Sequence, residues 1–576
     1  MPMEPQVVRE LAFRLALENA VRHGASARPA TVLGRLLAMD PDLRAHRNEV
    51  ERLVADVVGQ VNALPEAERK DRWAALPPAP GPFEPPRPPR EEGTLPDLPG
   101  AQMGQVVLRF APFPSGPLHI GNARAVVVND EYRRRYQGRF LLVIDDTAGS
   151  VEKKILPEAY DLIREDLSLL GVTPDAVHYK SDRLERHYAF LPRLFAVDRA
   201  YVCLCDGPTL TRNRRAGIAC PERDLPRETQ EERWERMLAG GYRQGEAVVR
   251  LKTSMQDPNP AFRDRVLFRI WEGEHPRVGT RYRVWPLLEF SWAVDDVELG
   301  ITHVIRGKDL VMEDQMETTI WDSLGIRGPR FLHWGLLSVR DAKISKSKSA
   351  AKVLSGQYDG WADPRTWSFR SLVRRGILPE AIRSFILGFG LSQADITVPA
   401  EALYAENRRL LDPVTPRRIF VPDPHEVVVE DWPGDLRFGR LANHPERPEL
   451  GHRELPVDGR FLLPEEDLRA RAGQEIRLKD LANIQLSGKP AEGSWGARFT
   501  SRPNKDIPRL QWVPVAGSVP VSVLMVDGHR VEGRGESSLA TGAPGEMFQF
   551  ERFGFVRRDT EPGPADGTPR FVYAHG

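Results

Sequence analysis

Residues 105 to 145 leave few folds open. A short apolar run, Val106 to Leu108, meets a turn rich in proline and glycine, Pro112-Phe113-Pro114-Ser115-Gly116-Pro117, and a helix-like stretch follows from Ala123 to Tyr136. A second apolar strand comes at once, so the order is strand 105–110, helix 119–136, strand 139–145. Parallel strands with crossover helices make an open α/β sheet, which takes its ligand at the carboxyl ends of its strands. The turn lies at such an end and opens a helix, where backbone N–H groups and the positive end of the helix dipole suit a phosphate.

The side chains around that turn fit a nucleotide. His119 and Asn122 are one helical turn apart, so both are expected to reach one phosphate. Gly116 and Gly121 let the backbone approach without a Cβ, and Pro114 belongs to the same ATP-binding turn. Far downstream, Lys343-Ile344-Ser345-Lys346-Ser347 offers two lysines with hydroxyls between them on what should be a mobile loop. Two distant elements of this kind, closing over one nucleotide, describe phosphate-transfer chemistry on ATP. His119, Asn122, Lys343 and Lys346 are the expected catalytic set, with Ser345 and Ser347 as further hydrogen-bonding groups. The bland alternative is a histidine that caps a helix and a lysine run that is solvated.

A chain of 576 residues is too long for a single core, and three or four domains are expected. The 81 basic and 81 acidic residues cancel, so any RNA contact must come from local basic patches rather than from a global field. Met1 to Glu10 has no apolar signal core and no stretch reaches the length of a membrane span, so a cytoplasmic protein without membrane contact is expected. Three cysteines argue against a disulfide framework.

Residues 1–76 show helical spacing and read as a small helical domain, and residues 77–100 as a stiff proline-rich linker that packs against nothing. A Rossmann-like catalytic domain spans 101–360, with an insertion of mixed character at about 185–290. A helical region follows at 361–410, bearing Arg370, Arg374, Arg375 and Arg383. From 411 to 576, short alternating runs broken by proline and glycine suit one or two β-barrels.

These residues carry a resemblance. His119-Ile120-Gly121-Asn122 and Lys343 to Ser347 resemble the two signature motifs of class I aminoacyl-tRNA synthetases. Arg109 to Asn122 with Asp145-Asp146-Thr147 is similar to the glutamyl and glutaminyl branch. Resemblance to archaeal-type glutamyl-tRNA synthetases covers nearly the whole chain. It takes in Leu95 to Pro99, Ala293 to Asp296, Val304 to Gly307, Arg374 to Ala381 and Phe550 to Phe555. It implies activation of L-glutamate by ATP with Mg2+, and transfer to the 3′ end of tRNA(Glu); the oligomeric state stays open, with a monomer as the default expectation. The insertion would bind the acceptor stem and the β-barrels the anticodon. Whether tRNA(Gln) is charged as well stays open. The alternatives are a glutaminyl-tRNA ligase and a catalytically weakened tRNA-binding relative.

The resemblance also places a glutamate pocket. Arg109 would recognise the substrate side chain, Arg306 would lie in the same pocket, and Asp145 would hold the ammonium. Arginine forks suit a substrate with two carboxylates. Alternatively these arginines pair with structural carboxylates such as Asp295 and Asp296. The chain departs from the family pattern at Asn122 (histidine elsewhere), Ile344 (methionine), Leu288 (tyrosine), Val143 (arginine) and Ala148-Gly149 (Asp-Pro). Cys203, Cys205 and Cys220 have metal-like spacing, and relatives place a histidine where this chain has Glu222. The reading stays open between Zn2+, completed by Glu222 or by His187 folding back, and buried free thiols.

Overall fold

The structure, a computed structural model, describes residues 5–23, 26–39, 43, 47–75, 95–149, 154–340, 346–487, 494–561 and 567–576. They divide into two units, Met1–Glu92 and Gly93–Gly576.

In the first unit, Val50, Val54, Val57, Val58 and Val61 recur at helical spacing and are all buried. They lie on α3 (Arg47–Asn62), which packs with α1 (Pro5–His23), α2 (Pro29–Met39) and α4 (Glu66–Ala75). Asn62 closes the group from its side chain, accepting from Ala27 N–H at 2.7 Å and donating to its carbonyl at 3.0 Å.

The expected linker needs a correction at its far end. Residues 76–94 lie outside the described residues, but Leu95 to Gly100 pack on the second unit, with Leu95 and Leu98 buried. Tyr132 Oη donates to Pro96 O at 2.7 Å, and Leu98 N–H donates to Tyr136 Oη at 2.9 Å. Two leucines spaced to fill one groove outweigh the stiffness of the flanking prolines.

In the second unit, β1 (Val107–Phe110), α5 (Ile120–Arg135), β2 (Arg139–Ile144), α6 (Ala159–Leu169) and β3 (Ala176–Tyr179) form a parallel sheet in the order β1-β2-β3. β1 and β2 align Val107 with Arg139 and Arg109 with Leu141. Residues 184–286 then form α7 (Leu184–Ala196), β4 (Ala200–Cys203), α8 (Gly207–Ala216), α9 (Arg227–Leu238), β5 (Val248–Leu251), β6 (Val266–Ile270) and β7 (Val284–Pro286). The strands make an antiparallel sheet of their own, β4-β5-β6-β7. The chain returns through α10 (Leu288–Glu298) to β8 (His303–Gly307), α11 (Val311–Leu324) and β9 (Arg330–Trp334), and β8 and β9 pair in parallel. Thr302, just before β8, donates its N–H to Val107 O at 3.0 Å, and its Oγ1 accepts from Val107 N–H at 2.9 Å. This sets β8 beside β1, so Arg109 and Arg306 leave neighbouring strands.

Beyond residue 411 lie two seven-stranded, barrel-like sheets. One joins strands from 417–422 with strands from 519–575, and the other is built wholly from 424–514. The ends of this region thus close around its middle. The helix Phe369–Arg375 is tied to the first sheet by a buried pair, Arg374 to Asp559, with two contacts of 2.8 Å.

Candidate functional site: a nucleotide turn and a charged pocket

The nucleotide turn hangs between β1 and β2. Asp145 N–H donates to Pro112 O at 3.0 Å, and Leu156 N–H donates to Pro114 O at 2.9 Å. Gly116 has φ +139°, a left-handed backbone, and a Cβ there would stand 3.3 Å from the Trp361 ring. Only glycine fits without displacing that indole. His119 is the N-cap of α5: its Nδ1 accepts from Gly121 N–H at 3.0 Å, while Asn122 Oδ1 accepts from His119 N–H at 3.2 Å. This reciprocal capping box satisfies two helix-start donors. The two side chains expected to reach out to one phosphate therefore turn back, in this structure, onto the first turn of α5. An acceptor Nδ1 puts the proton of the neutral ring on Nε2.

Lys343 and Ser345 lie outside the described residues. Lys346 and Ser347 begin the helix Lys346–Leu354, described here by its backbone alone at those positions.

The other end of the cleft gathers charge around one indole. Trp292 on α10 has Arg109 Cζ at 4.9 Å from its ring centroid, Arg306 Cζ at 4.6 Å and Lys180 Nζ at 5.1 Å. Each cation has a carboxylate from this chain. Arg109 is bidentate to Asp296, at 2.5 Å from Nε and 2.8 Å from Nη2. Arg306 pairs with Asp314, and with Glu317 at 2.6 Å. Lys180, wholly buried, lies 3.4 Å from Asp145 Oδ1 and donates to Ser291 Oγ at 2.6 Å. So Arg109 and Arg306 do converge, but with their forks engaged by carboxylates of the protein, the alternative weighed for them. Asp145, expected to hold a substrate ammonium, holds the ammonium of Lys180. A buried arginine without substrate must keep a counter-ion, because an unpaired buried charge is too costly.

Burial also sets the protonation here. It presses Lys180 below its ordinary range, against the pull of Asp145. It pushes Glu317 up to about 8, against the pull of Arg306 and with help from the neighbouring Asp296 charge. Asp295 goes the other way: burial opposes its charge, but His187, Lys180 and Arg183 hold it well below the usual carboxylate range. His187 Nε2 lies 3.0 Å from Asp295 Oδ1 and so does not fold back onto the cysteines.

Lys180, Trp292, Asp314 and Glu317 were not singled out from the sequence, although signals existed. Lys180 directly follows the carboxyl end of β3. Trp292 precedes Asp296 by four residues and Asp314 precedes Glu317 by three, each pair on one helix face. Of the departures, Val143 is fully buried in the sheet, and Ala148 packs with Leu184 and Trp285. Leu288 starts α10 and is half-buried.

A third cluster lies on the antiparallel sheet. The ligand atoms of Cys203, Cys205, Cys220 and Glu222 lie within 4.8 Å of one another. Cys205 and Cys220 sulfurs are 3.4 Å apart, and the buried Arg250 donates from Nη1 to Cys220 Sγ at 2.9 Å. Burial raises the Cys203 and Cys205 thiols.

The parallel sheet thus carries a capped turn at its carboxyl edge and a charged pocket beside it. Residues 105–413 match the family described as tRNA synthetases class I (E and Q), catalytic domain. Residues 415–497 and 509–559 match the two anticodon-binding domains of the same class. The chain belongs to the class I tRNA synthetases of the glutamate and glutamine branch. Its full-length relatives include the glutamate–tRNA ligases of Pyrococcus furiosus (41% identical, over 96% of this chain and 97% of that one) and Methanopyrus kandleri (41%, over 100% of both). That of Methanothermobacter thermautotrophicus is 39% identical over 99% of both. Within the class, the chain belongs to the family of these archaeal glutamate–tRNA ligases. A crystal structure of glutamate-tRNA synthetase from Elizabethkingia anophelis is similar over 53% of this chain and 70% of that one, at 20% identity and TM-score 0.39.

Among the described residues, no helix is long and apolar enough to cross a membrane.

Proposed function

We infer that this protein is a glutamate–tRNA ligase that forms glutamyl-adenylate from glutamate and ATP and passes the glutamyl group to the terminal ribose of tRNA(Glu). The observation that carries the reading is the convergence of Arg109 and Arg306 on Trp292 at the sheet edge that also bears the capped turn of α5. The substrate carboxylate is itself the nucleophile and attacks the α-phosphorus of ATP as pyrophosphate leaves. The protein's work is positioning, together with charge stabilisation on the non-bridging oxygens. With His119 Nδ1 and Asn122 Oδ1 engaged in the cap, His119 meets the nucleotide through Nε2 and Asn122 through its amide –NH2, beside the start of α5, Pro114, Gly116 and Gly121. Lys343, Ser345, Lys346 and Ser347 close from the other side.

Glutamate and glutamine are nearly isosteric, so Arg109 discriminates by charge. For that it must share its guanidinium between Asp296 and the substrate. Pyrophosphate exchange with each amino acid, with and without tRNA, tests the reading: exchange should depend on glutamate, and Arg109→Gln should narrow the preference over glutamine. An unchanged ratio would remove Arg109 from the recognition of the side chain. A second reading, a relative that binds tRNA but activates glutamate poorly, draws on Asp145, whose carboxylate holds Lys180. Wild-type exchange near zero in the same assay would favour it.

In this reading residues 101–360 are the catalytic domain, the insertion meets the acceptor stem, 361–410 contacts the stem, and 411–576 reads the anticodon. Cys203, Cys205, Cys220 and Glu222 fit a Zn2+ ion: three soft sulfurs and a carboxylate make a closed four-donor set of the structural kind. Such an ion would clamp β4 to the loop after α8. Metal analysis of wild type and Cys205→Ser, read with thermal stability, tests this.

A further inference from the structure

We propose that Trp292 determines specificity in the amino-acid pocket, its indole N–H joining Nη1 of Arg306 to seat the side-chain carboxylate of the substrate. The proposal rests on the glutamate reading and goes beyond it in naming a recognising group outside the arginines.

Three polar atoms in this pocket are buried and have no hydrogen-bond partner among the described residues: Nε1 of Trp292, Nη1 of Arg306 and Oε2 of Glu317. Their residues touch through Arg306, whose guanidinium lies over the Trp292 ring at 4.6 Å and donates from Nη2 to Glu317 Oε1 at 2.6 Å. Buried polar groups in folded proteins are paired almost without exception, so neighbouring unmet atoms point to a missing ligand. Two of them, on Trp292 and Arg306, are obligate donors that lack an acceptor, and burial, pushing Glu317 up to about 8, favours its protonated, donating form. A group of unmet donors fits an anion.

The surroundings sharpen the case. Trp321, on the helix packed against α10, meets the ordinary rule, donating its indole N–H to Ala293 O at 2.8 Å. Trp285 also has an unpartnered buried N–H, but its ring stacks on His275 in a different cluster, with Ala148 and Leu184. Trp292 alone of these three is flanked by Arg109, Lys180 and Arg306. A carboxylate can accept from both the indole and Arg306. The amide of glutamine offers one acceptor, and its –NH2 would face a donor, so the same pair rejects it.

The test is Trp292→Phe in the full chain, which keeps a six-membered aromatic face for the three cations and removes the N–H together with the pyrrole ring. In pyrophosphate exchange with tRNA present, the glutamate KM should rise about tenfold, the worth of one hydrogen bond to a charged group. The preference over glutamine should fall by a similar factor while kcat holds. Independently, the indole 15N–H resonance of Trp292, assigned by its loss in the variant, should shift on saturation of the wild type with glutamate and not with glutamine. An unchanged KM and preference in a folded variant, or an unmoved indole resonance under saturating glutamate, overturns the proposal. Should Trp292→Phe fail to fold, Trp292→Tyr, which also lacks the indole N–H, supplies both the assignment and the kinetic comparison. Absence of glutamate exchange in the wild type defeats the underlying reading, and this proposal with it, and is told apart because it precedes any substitution.

Discussion

The two parts of the candidate site are built differently. The nucleotide end draws its side chains from one run of fewer than twenty residues, and the capping hydrogen bonds of His119 and Asn122 span two or three positions, while backbone bonds from Asp145 and Leu156 pin the turn from farther along the chain. The amino-acid end is assembled from afar. Arg109 meets Asp296 across 187 positions, and Lys180 meets Ser291 across 111. A local site is held by short-range geometry and loses little when one member is removed. A site made of buried ions from distant elements depends on every partner, since each charge is another's counter-ion.

That contrast can be broken at its strongest point first. Arg109→Ala leaves Asp296 buried without its cation and should cost about 3–5 kcal/mol of stability, measured by chemical denaturation. Arg109→Lys, which keeps the charge and loses the fork, should fall between. A loss under 1 kcal/mol would mean that the pair is not the anchor of this pocket.

Lys346→Ala should lower the turnover of glutamate activation by about 10²–10³ and barely alter the glutamate KM, as removal of one charge-stabilising donor does. Wild-type exchange rates in that variant would detach the lysine segment from the nucleotide end.

Asn122→Ala removes half of the capping box, so a loss of about 1 kcal/mol in denaturation is expected, well short of the Arg109 effect. A cost equal to that of Arg109→Ala would erase the distinction between the two ends.

A subtler effect concerns pH. Glu317 is held near 8 in the folded protein, above its value in the unfolded chain. Stability from this group is therefore complete in acid and is lost as pH rises through 8, because the unfolded chain gives up the proton first. Unfolding measured from pH 5 to 8 should show this decline, and Glu317→Gln should flatten it. An identical slope in the variant would show that Glu317 ionises normally.

The smallest effect is expected from the helical head, which forms a unit apart with its own core. The chain beginning at Gly93 should stay folded and form adenylate like the full protein, as read by thermal melting and pyrophosphate exchange. Loss of soluble protein would show that the head is needed for the fold of the rest.

Much of the fold was legible because its signals are short-ranged. The strand, helix and strand expected at 105–110, 119–136 and 139–145 appear at Val107–Phe110, Ile120–Arg135 and Arg139–Ile144. The β-rich end followed from alternating runs cut by proline and glycine, which left open whether it forms one barrel or two; that its first strands pair with its last, leaving the middle to form a second sheet, was not visible in the pattern. The linker was misjudged at residues 95–100 because composition registers proline and misses two leucines placed to fill a groove on α5.

What the sequence by itself determined is the local geometry of the turn: residue types at fixed short spacing dictate a capped helix start and a glycine with φ +139°. What only the tertiary structure decided is the state of the amino-acid pocket. Arg109, Asp145 and Arg306 could be named from their positions. That Asp296, Lys180 and Asp314 neutralise them, that Glu317 accepts from Arg306, and that Trp292 lies among them with an unmet N–H, could not. The reason is physical. Hydrogen-bonded local structure follows from neighbours in the chain, whereas the pairing of buried charges follows from which charges the packed core leaves with no water and no other partner.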